Sequence, residues 1–197
     1  MGRLKPLPDN ATPELDETFR TFKNYMGYVP NSVLIMQRRP KMVQGLAQMA
    51  SAVWDSTGEV DGGFKRLVTY LAGKTYGCQY SMAHAAEAAH RAGVAIAKIE
   101  AVCDYRRSPL YTEAERVAFD FAVAAASQPN AVTDQLFERM KQHWTDGQIV
   151  EITAVIAQSG FINRWCDTLA VPLEPESIAF AEQHLTQHGW RIGKHRP

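Results

Sequence analysis

The chain has 197 residues, 46% of them hydrophobic, and its 21 basic residues are balanced by 21 acidic ones. That length and apolar fraction are enough for a single domain, residues 1–197, to bury its own core without disulfides or metals. Zero net charge, with no long run of either sign, removes the footprint of a nucleic-acid or anionic-membrane binder and points to a small-molecule substrate or protein partners.

Cys78, Cys103 and Cys166 form an odd, widely spaced set, unlike the disulfide framework of a small secreted protein, so a reducing cytoplasm is expected. Residues 1–12 are polar and hold Pro6 and Pro8, which is not the pattern of a signal peptide. No window approaches the ~20 apolar residues that span a bilayer. The expectation is a soluble cytoplasmic protein without membrane contact.

Thr12-Pro13 pairs a cap with a first helical residue and predicts a short helix to about Met26, followed by a turn over Gly27-Tyr28-Val29-Pro30-Asn31-Ser32. From Pro40 to about Trp54, Met42, Val43, Leu46, Met49, Ala50 and Val53 recur every three or four residues and predict one buried helical face. Phe64, Leu67, Val68 and Leu71 do the same in the next helix. An Ala-rich helix is expected from about Gln79 to Ala92, ending at Gly93. Residues 106–109, Arg-Arg-Ser-Pro, read as a loop between two helical halves. Thr112 with Glu115, and Thr145 with Gln148, match the capping box and should each open a helix. The second leads into Ile149, Val150, Ile152, Val155, Ile156, Phe161 and Ile162, apolar on nearly all sides, which predicts a central buried helix. Glu174-Pro175 starts a last one. No stretch alternates as a strand does, so the fold class is all-α.

Chemistry concentrates in Gly77-Cys78-Gln79-Tyr80-Ser81-Met82-Ala83-His84, where a glycine turn meets a helix start. A thiol there feels the unpaired N–H groups of the helix N-terminus, which predicts a lowered pKa and a reactive sulfur. At ~100° per residue, Ser81 lies between Cys78 and His84 around the helix. His84 suits proton transfer, and Tyr80 adds a phenol if its ring turns to the same pocket. The other reading is a buried thiol packed as a small hydrophobe beside a hydrogen-bonded histidine.

This segment, with the Ala-rich helix behind it, resembles the Cys-x-x-Cys-x-x-x-His region of alkylhydroperoxidase-D-like proteins. It is more similar still to a subgroup of the carboxymuconolactone decarboxylase family whose histidine stands one residue nearer the cysteines. Further similarity runs through Val29-Pro30-Asn31-Ser32, residues 129–134, Gly160-Phe161-Ile162-Asn163-Arg164-Trp165, Gly189-Trp190 and Gly193-Lys194-His195. The resemblance implies a compact alkylhydroperoxidase-D-like domain of about eight to ten helices that forms symmetric homo-oligomers, with Trp165 and Trp190 as candidate interface anchors. Two departures stand out. Ser81 occupies the second cysteine position, and a hydroxyl cannot form the disulfide of a two-cysteine peroxidase. The family's relay glutamate, twelve residues before the first cysteine, is Arg66 here.

Beyond the motif, Arg164 beside Trp165, with Asn163, is a candidate carboxylate anchor; a pair with Asp167 or a subunit contact are the alternatives. Glu87 and Arg91, four residues apart, read first as a surface ion pair, with Glu87 as a further pocket candidate. His184 and His188 have metal-face spacing but no obvious third ligand beyond His195, so no metal and no cofactor is expected. The catalytic set is then Cys78, Tyr80, Ser81 and His84, and the substrate-binding set Glu87, Asn163, Arg164 and Trp165. The implied activity is cofactor-independent acid–base chemistry, such as decarboxylation, isomerisation or elimination, on a small carboxylate, lactone or carbonyl compound. A one-cysteine thiol peroxidase and a non-catalytic oligomeric binding module are the alternatives.

Overall fold

In the computed structural model, which describes residues 2–197, ten α-helices follow one another without a strand among the described residues. Met1, the first residue of the expected domain, lies outside the described residues. The helices are α1 (Asp16–Met26), α2 (Asn31–Met36), α3 (Pro40–Val53), α4 (Gly62–Tyr76), α5 (Gln79–Arg91), α6 (Ile96–Glu100), α7 (Glu113–Ala126), α8 (Asp134–Lys141), α9 (Asp146–Leu169) and α10 (Pro175–His184). Short 3-10 turns at Pro13–Leu15, Ala101–Asp104, Thr186–His188 and Gly193–His195 complete them. Among the described residues, no helix is long and apolar enough to cross a membrane.

The boundaries follow local chemistry. Both capping boxes form in full: Thr112 accepts from Glu115 N and Thr145 from Gln148 N, each at 3.2 Å, and each partner side chain returns to the cap's own N–H. Gly77 takes the left-handed φ of 86° that stops α4, and Cys78 at once becomes the N-cap of α5. The reversal lets α5 lie along α4, where a Cβ added at Gly73 would stand 3.1 Å from Ser81 Cβ. Phe64, Leu67, Val68 and Leu71 of α4 meet Ala83, Ala86 and Ala89 of α5, Phe119 of α7 and Ile152 of α9 in the main core. A second cluster of Leu15, Phe19, Val29, Val33, Met36 and Val43 ties the N-terminal helices together.

Several expectations need correction. The face predicted on α3 is only partly buried: Val43 is sealed, but Met42 and Met49 are 40% and 54% exposed, because α3 lies at the edge of the molecule. α9 is central but not enclosed, since Val150 is 67% exposed. Asn31 and Ser32, expected in a turn, instead begin α2 after Pro30. The five residues of α6 and eight of α8 are too short to show a period. Trp190 is no interface anchor, being buried within its own chain with its indole N–H on Gln79 O at 2.9 Å.

Candidate functional site

A cavity of about 170 Å³ opens between the N-terminal helices, α4, α5 and α9. Phe22, Leu46, Trp54 and Ile162 give it an apolar wall, and Tyr80, Ser81 and His84 enter from α5. Ser81 and His84, three residues apart, share one stripe of that helix, as the spacing predicts.

His84 is held by a partner that sequence reading missed. Its Nε2 lies 2.6 Å from Glu174 Oε2, with both side chains largely buried. Glu174 Oε1 accepts from the N–H of Asn31 at 2.5 Å and from the Tyr80 hydroxyl at 3.2 Å. Burial alone would raise the Glu174 pKa, but the charge and hydrogen bond of His84, with the Asn31 N–H, hold it below the usual carboxylate value. Glu174 can sit there because it is the N-cap residue of α10, fixed by Pro175 behind it. The sequence signals only a helix start at this position, not a carboxylate aimed at a histidine 90 residues away.

In its neutral form, an imidazole that donates Nε2–H to Glu174 leaves Nδ1 as the acceptor. Tyr28 Oη lies 3.3 Å from that nitrogen and 3.3 Å from Ser177 Oγ, which donates in turn to Glu87 Oε2 at 3.5 Å. Tyr28 and Ser177 were likewise invisible as site residues, one sitting in an expected turn and the other in the last helix. Glu87 is not on the surface: it is buried, and Arg91 Nε pairs with it at 2.7 Å.

Arg66, where the sequence resemblance puts a relay glutamate, lines the same cavity and stacks its guanidinium 3.6 Å over the Trp54 ring. Burial lowers its pKa to about 9, with the charge of Arg91 adding and that of Glu87 opposing, so it remains a cation at neutral pH. A half-buried cation at the rim of an apolar cavity can hold an anion.

The sulfur stands apart. Cys78 has no exposed surface and does not line the cavity; Ser81 lies between them. The expected lowering of its pKa is reversed, because burial pushes the thiol up and outweighs Ser81 and the backbone N–H groups of the helix start, which pull it down. Its neighbours are Asp167 and His195: the sulfur, a carboxylate oxygen and an imidazole nitrogen all lie within 4.8 Å of one another, a donor set that a metal could also use. Cys166, equally buried, is close enough for Cys78 to push its pKa higher.

The remaining candidates lie elsewhere. Arg164 is exposed, 5.3 Å over the Tyr76 ring, with Nη1 on Gly160 O, and it does not reach the His84 cavity. It makes no pair with Asp167, which Lys194 takes at 2.7 Å. Asn163 is buried and lines, with Arg164 and Tyr76, a second cavity, and the Trp165 indole N–H donates to Ser32 O at 3.3 Å while the ring stacks on Phe161. His184 pairs with Glu100 at 2.9 Å rather than with His188.

The Carboxymuconolactone decarboxylase family model matches residues 40–124, which span α3 to most of α7 and include the thiol segment. The uncharacterized protein YnjA of Escherichia coli (strain K12) is 34% identical over 77 residues, 39% of this chain and 42% of that one, so the match spans under half of that relative. Debrominase Bmp8 superposes with a TM-score of 0.85 at 26% identity, over 91% of this chain and 96% of that one. A cysteine-to-alanine variant of Bmp8 in complex with 2,3,4-tribromopyrrole fits equally well. An uncharacterized peroxidase-related protein from Ralstonia eutropha JMP134, described as an alkylhydroperoxidase AhpD core, matches in fold with a TM-score of 0.78 at 19% identity, over 91% of this chain and 95% of that one.

Proposed function

We propose that this chain, which belongs to the carboxymuconolactone decarboxylase and alkylhydroperoxidase-D-like superfamily, is an enzyme whose own side chains run acid–base chemistry on a small, largely apolar ring compound carrying an anionic or acidic group. The observation that carries this reading is the 2.6 Å pair of His84 with the buried Glu174 at the wall of the apolar cavity. Glu174 fixes the imidazole's orientation and tautomer, and Nδ1 moves the substrate proton, as in other histidines oriented by a buried carboxylate. Tyr80, bonded to the same carboxylate, is the second protic group, and Ser81 contacts the ligand. Arg66, in place of the Arg164 expected from sequence, faces the anionic end. Decarboxylation, isomerisation and elimination all fit this arrangement. A cavity of ~170 Å³ is of a size for a single ring rather than a drug-sized ligand.

A second reading is thiol chemistry at Cys78 on a small electrophile. It is favoured by the likeness to Bmp8, whose cysteine-to-alanine variant is held with 2,3,4-tribromopyrrole. In either case the active protein is a homo-oligomer, for which the exposed Met42 and Met49 of α3 offer an apolar contact.

The test offers small aromatic carboxylates, lactones and 2,3,4-tribromopyrrole to the wild type and to His84→Ala, with products followed by chromatography. The acid–base reading expects turnover to fall about 100-fold or more while ligand affinity stays within a few-fold. Equal turnover by both proteins removes His84 from the mechanism and leaves the thiol reading.

A further inference from the structure

The C-terminal turn brings a histidine to the sulfur that the cavity leaves out. Trp190 is anchored by its indole N–H on Gln79 O, and Arg191 N donates to Gln79 Oε1 at 3.1 Å, so this segment is tied to the residue next to Cys78. The N–H of Leu173 then bonds His195 O at 2.9 Å and fixes the following turn. His195 is 1% exposed. Its Nδ1 donates to Val171 O at 2.7 Å, which leaves Nε2 with the lone pair.

That Nε2 is buried without a hydrogen-bond partner, which is unusual in a folded interior. It lies 3.8 Å from Asp167 Oδ1, and a ring nitrogen of His195, a carboxylate oxygen of Asp167 and Cys78 Sγ all lie within 4.8 Å of one another. Of the other two groups in that cluster, a carboxylate and a thiol, the thiol is the one that carries a hydrogen to donate. Burial keeps the imidazole neutral and the thiol protonated at rest, so the pair is one of a neutral donor and a neutral acceptor.

We propose that Cys78 and His195 form a thiol–imidazole pair in which His195 Nε2 accepts the sulfur's proton, with Asp167 facing the imidazolium that results. The site is nucleophilic toward small, soft electrophiles that pass Ser81. When the sulfur attacks a carbon bearing a halide, the S–C bond forms as the C–halogen bond breaks, the halide leaves with the electron pair, and the proton stays on His195 before passing to solvent. This inference deepens the thiol reading above and does not depend on what His84 does. The charged and titratable groups around the sulfur and its imidazole are Tyr80 from α5, Asp167 and Cys166 from α9, and His195 and Lys194 from the C-terminal turn.

The test measures chloroacetamide alkylation of Cys78 in the full-length protein between pH 5 and 10, locating the adduct by peptide mass spectrometry. It compares the wild type with His195→Asn, whose amide can keep the Val171 bond but offers no base. His195→Gln is the second variant, and thermal melts establish that each is folded. The expected result is a fall in rate of about tenfold or more at pH 7 in the variants, with the inflection moved to higher pH and the rates converging at the alkaline end. A merely structural histidine would lower the rate equally at every pH, or leave it unchanged, and either outcome overturns the pair while the thiol reading survives. A Cys78 inert to the reagent at all pH values overturns both. One equivalent of zinc retained per chain after incubation and desalting, with labelling blocked, overturns the proton-accepting role in favour of a metal site.

Discussion

The first two turns of α5 serve two regions that share a helix but not an environment. On one side His84 and Tyr80 face a cavity and share one carboxylate, Glu174, which the imidazole keeps ionised. On the other, Cys78 is sealed beside Asp167 and His195, and burial holds its proton on. Ser81 is the partition between them. The contrast teaches that a helix N-terminus does not by itself make a thiol acidic. A favourable dipole is worth ~1 kcal/mol, and the loss of hydration in a sealed pocket is worth more.

The largest expected effect on this contrast comes from Glu174→Gln. It removes the charge that orients His84 but leaves the cavity shape, so turnover should fall about 100-fold in steady-state kinetics with little change in ligand affinity. Chloroacetamide labelling of Cys78 should be unaffected, which would show that the two regions are separable.

Next comes Arg66→Gln, which should weaken binding of anionic ligands about tenfold in calorimetric titrations and leave neutral isosteres untouched. Equal losses for both ligand types would place the anion elsewhere.

A smaller effect is expected from acid. Because the folded pKa of Glu174 is depressed, the stability contributed by its pair with His84 is full above the ordinary glutamate value of ~4.3 and is lost as the pH falls through the lower folded value. Denaturant titrations should therefore show the wild type losing its advantage over Glu174→Gln in that window and not at neutral pH. The smallest effect is Thr145→Ala, which removes an N-cap remote from both regions and should lower stability by about 1 kcal/mol without changing activity.

Legibility in the sequence followed the range of the interactions. Helices marked by caps, glycines and periods of three and four could be read, because their signals lie within a few residues: Thr112, Thr145, Gly77 and Gly93 all act locally. The helical stripe that joins Ser81 to His84 was readable for the same reason. Glu174, Tyr28, Ser177 and His195 were not, since each reaches α5 from a distant segment and carries no local mark of doing so. An arginine beside a tryptophan does not reveal which cavity it serves: Arg164 lies over Tyr76, outside the His84 cavity, on a separate one that Asn163 also lines. Burial was the other missing quantity: spacing put Cys78 next to Ser81 but said nothing of what closes over the sulfur.

Proton transfer at this site requires Glu174 to hold His84 with Nε2–H toward the carboxylate, leaving Nδ1, against the Tyr28 hydroxyl, as the proton acceptor. Side-chain ¹⁵N spectra of His84, recorded at high pH in the wild type and in Glu174→Gln, are the decisive measurement. The expected spectra show a protonated Nε2 and an Nδ1 without a proton in the wild type, with a mixture of tautomers in the variant. A wild-type His84 protonated at Nδ1, or a tautomer indifferent to the loss of the carboxylate, would contradict it.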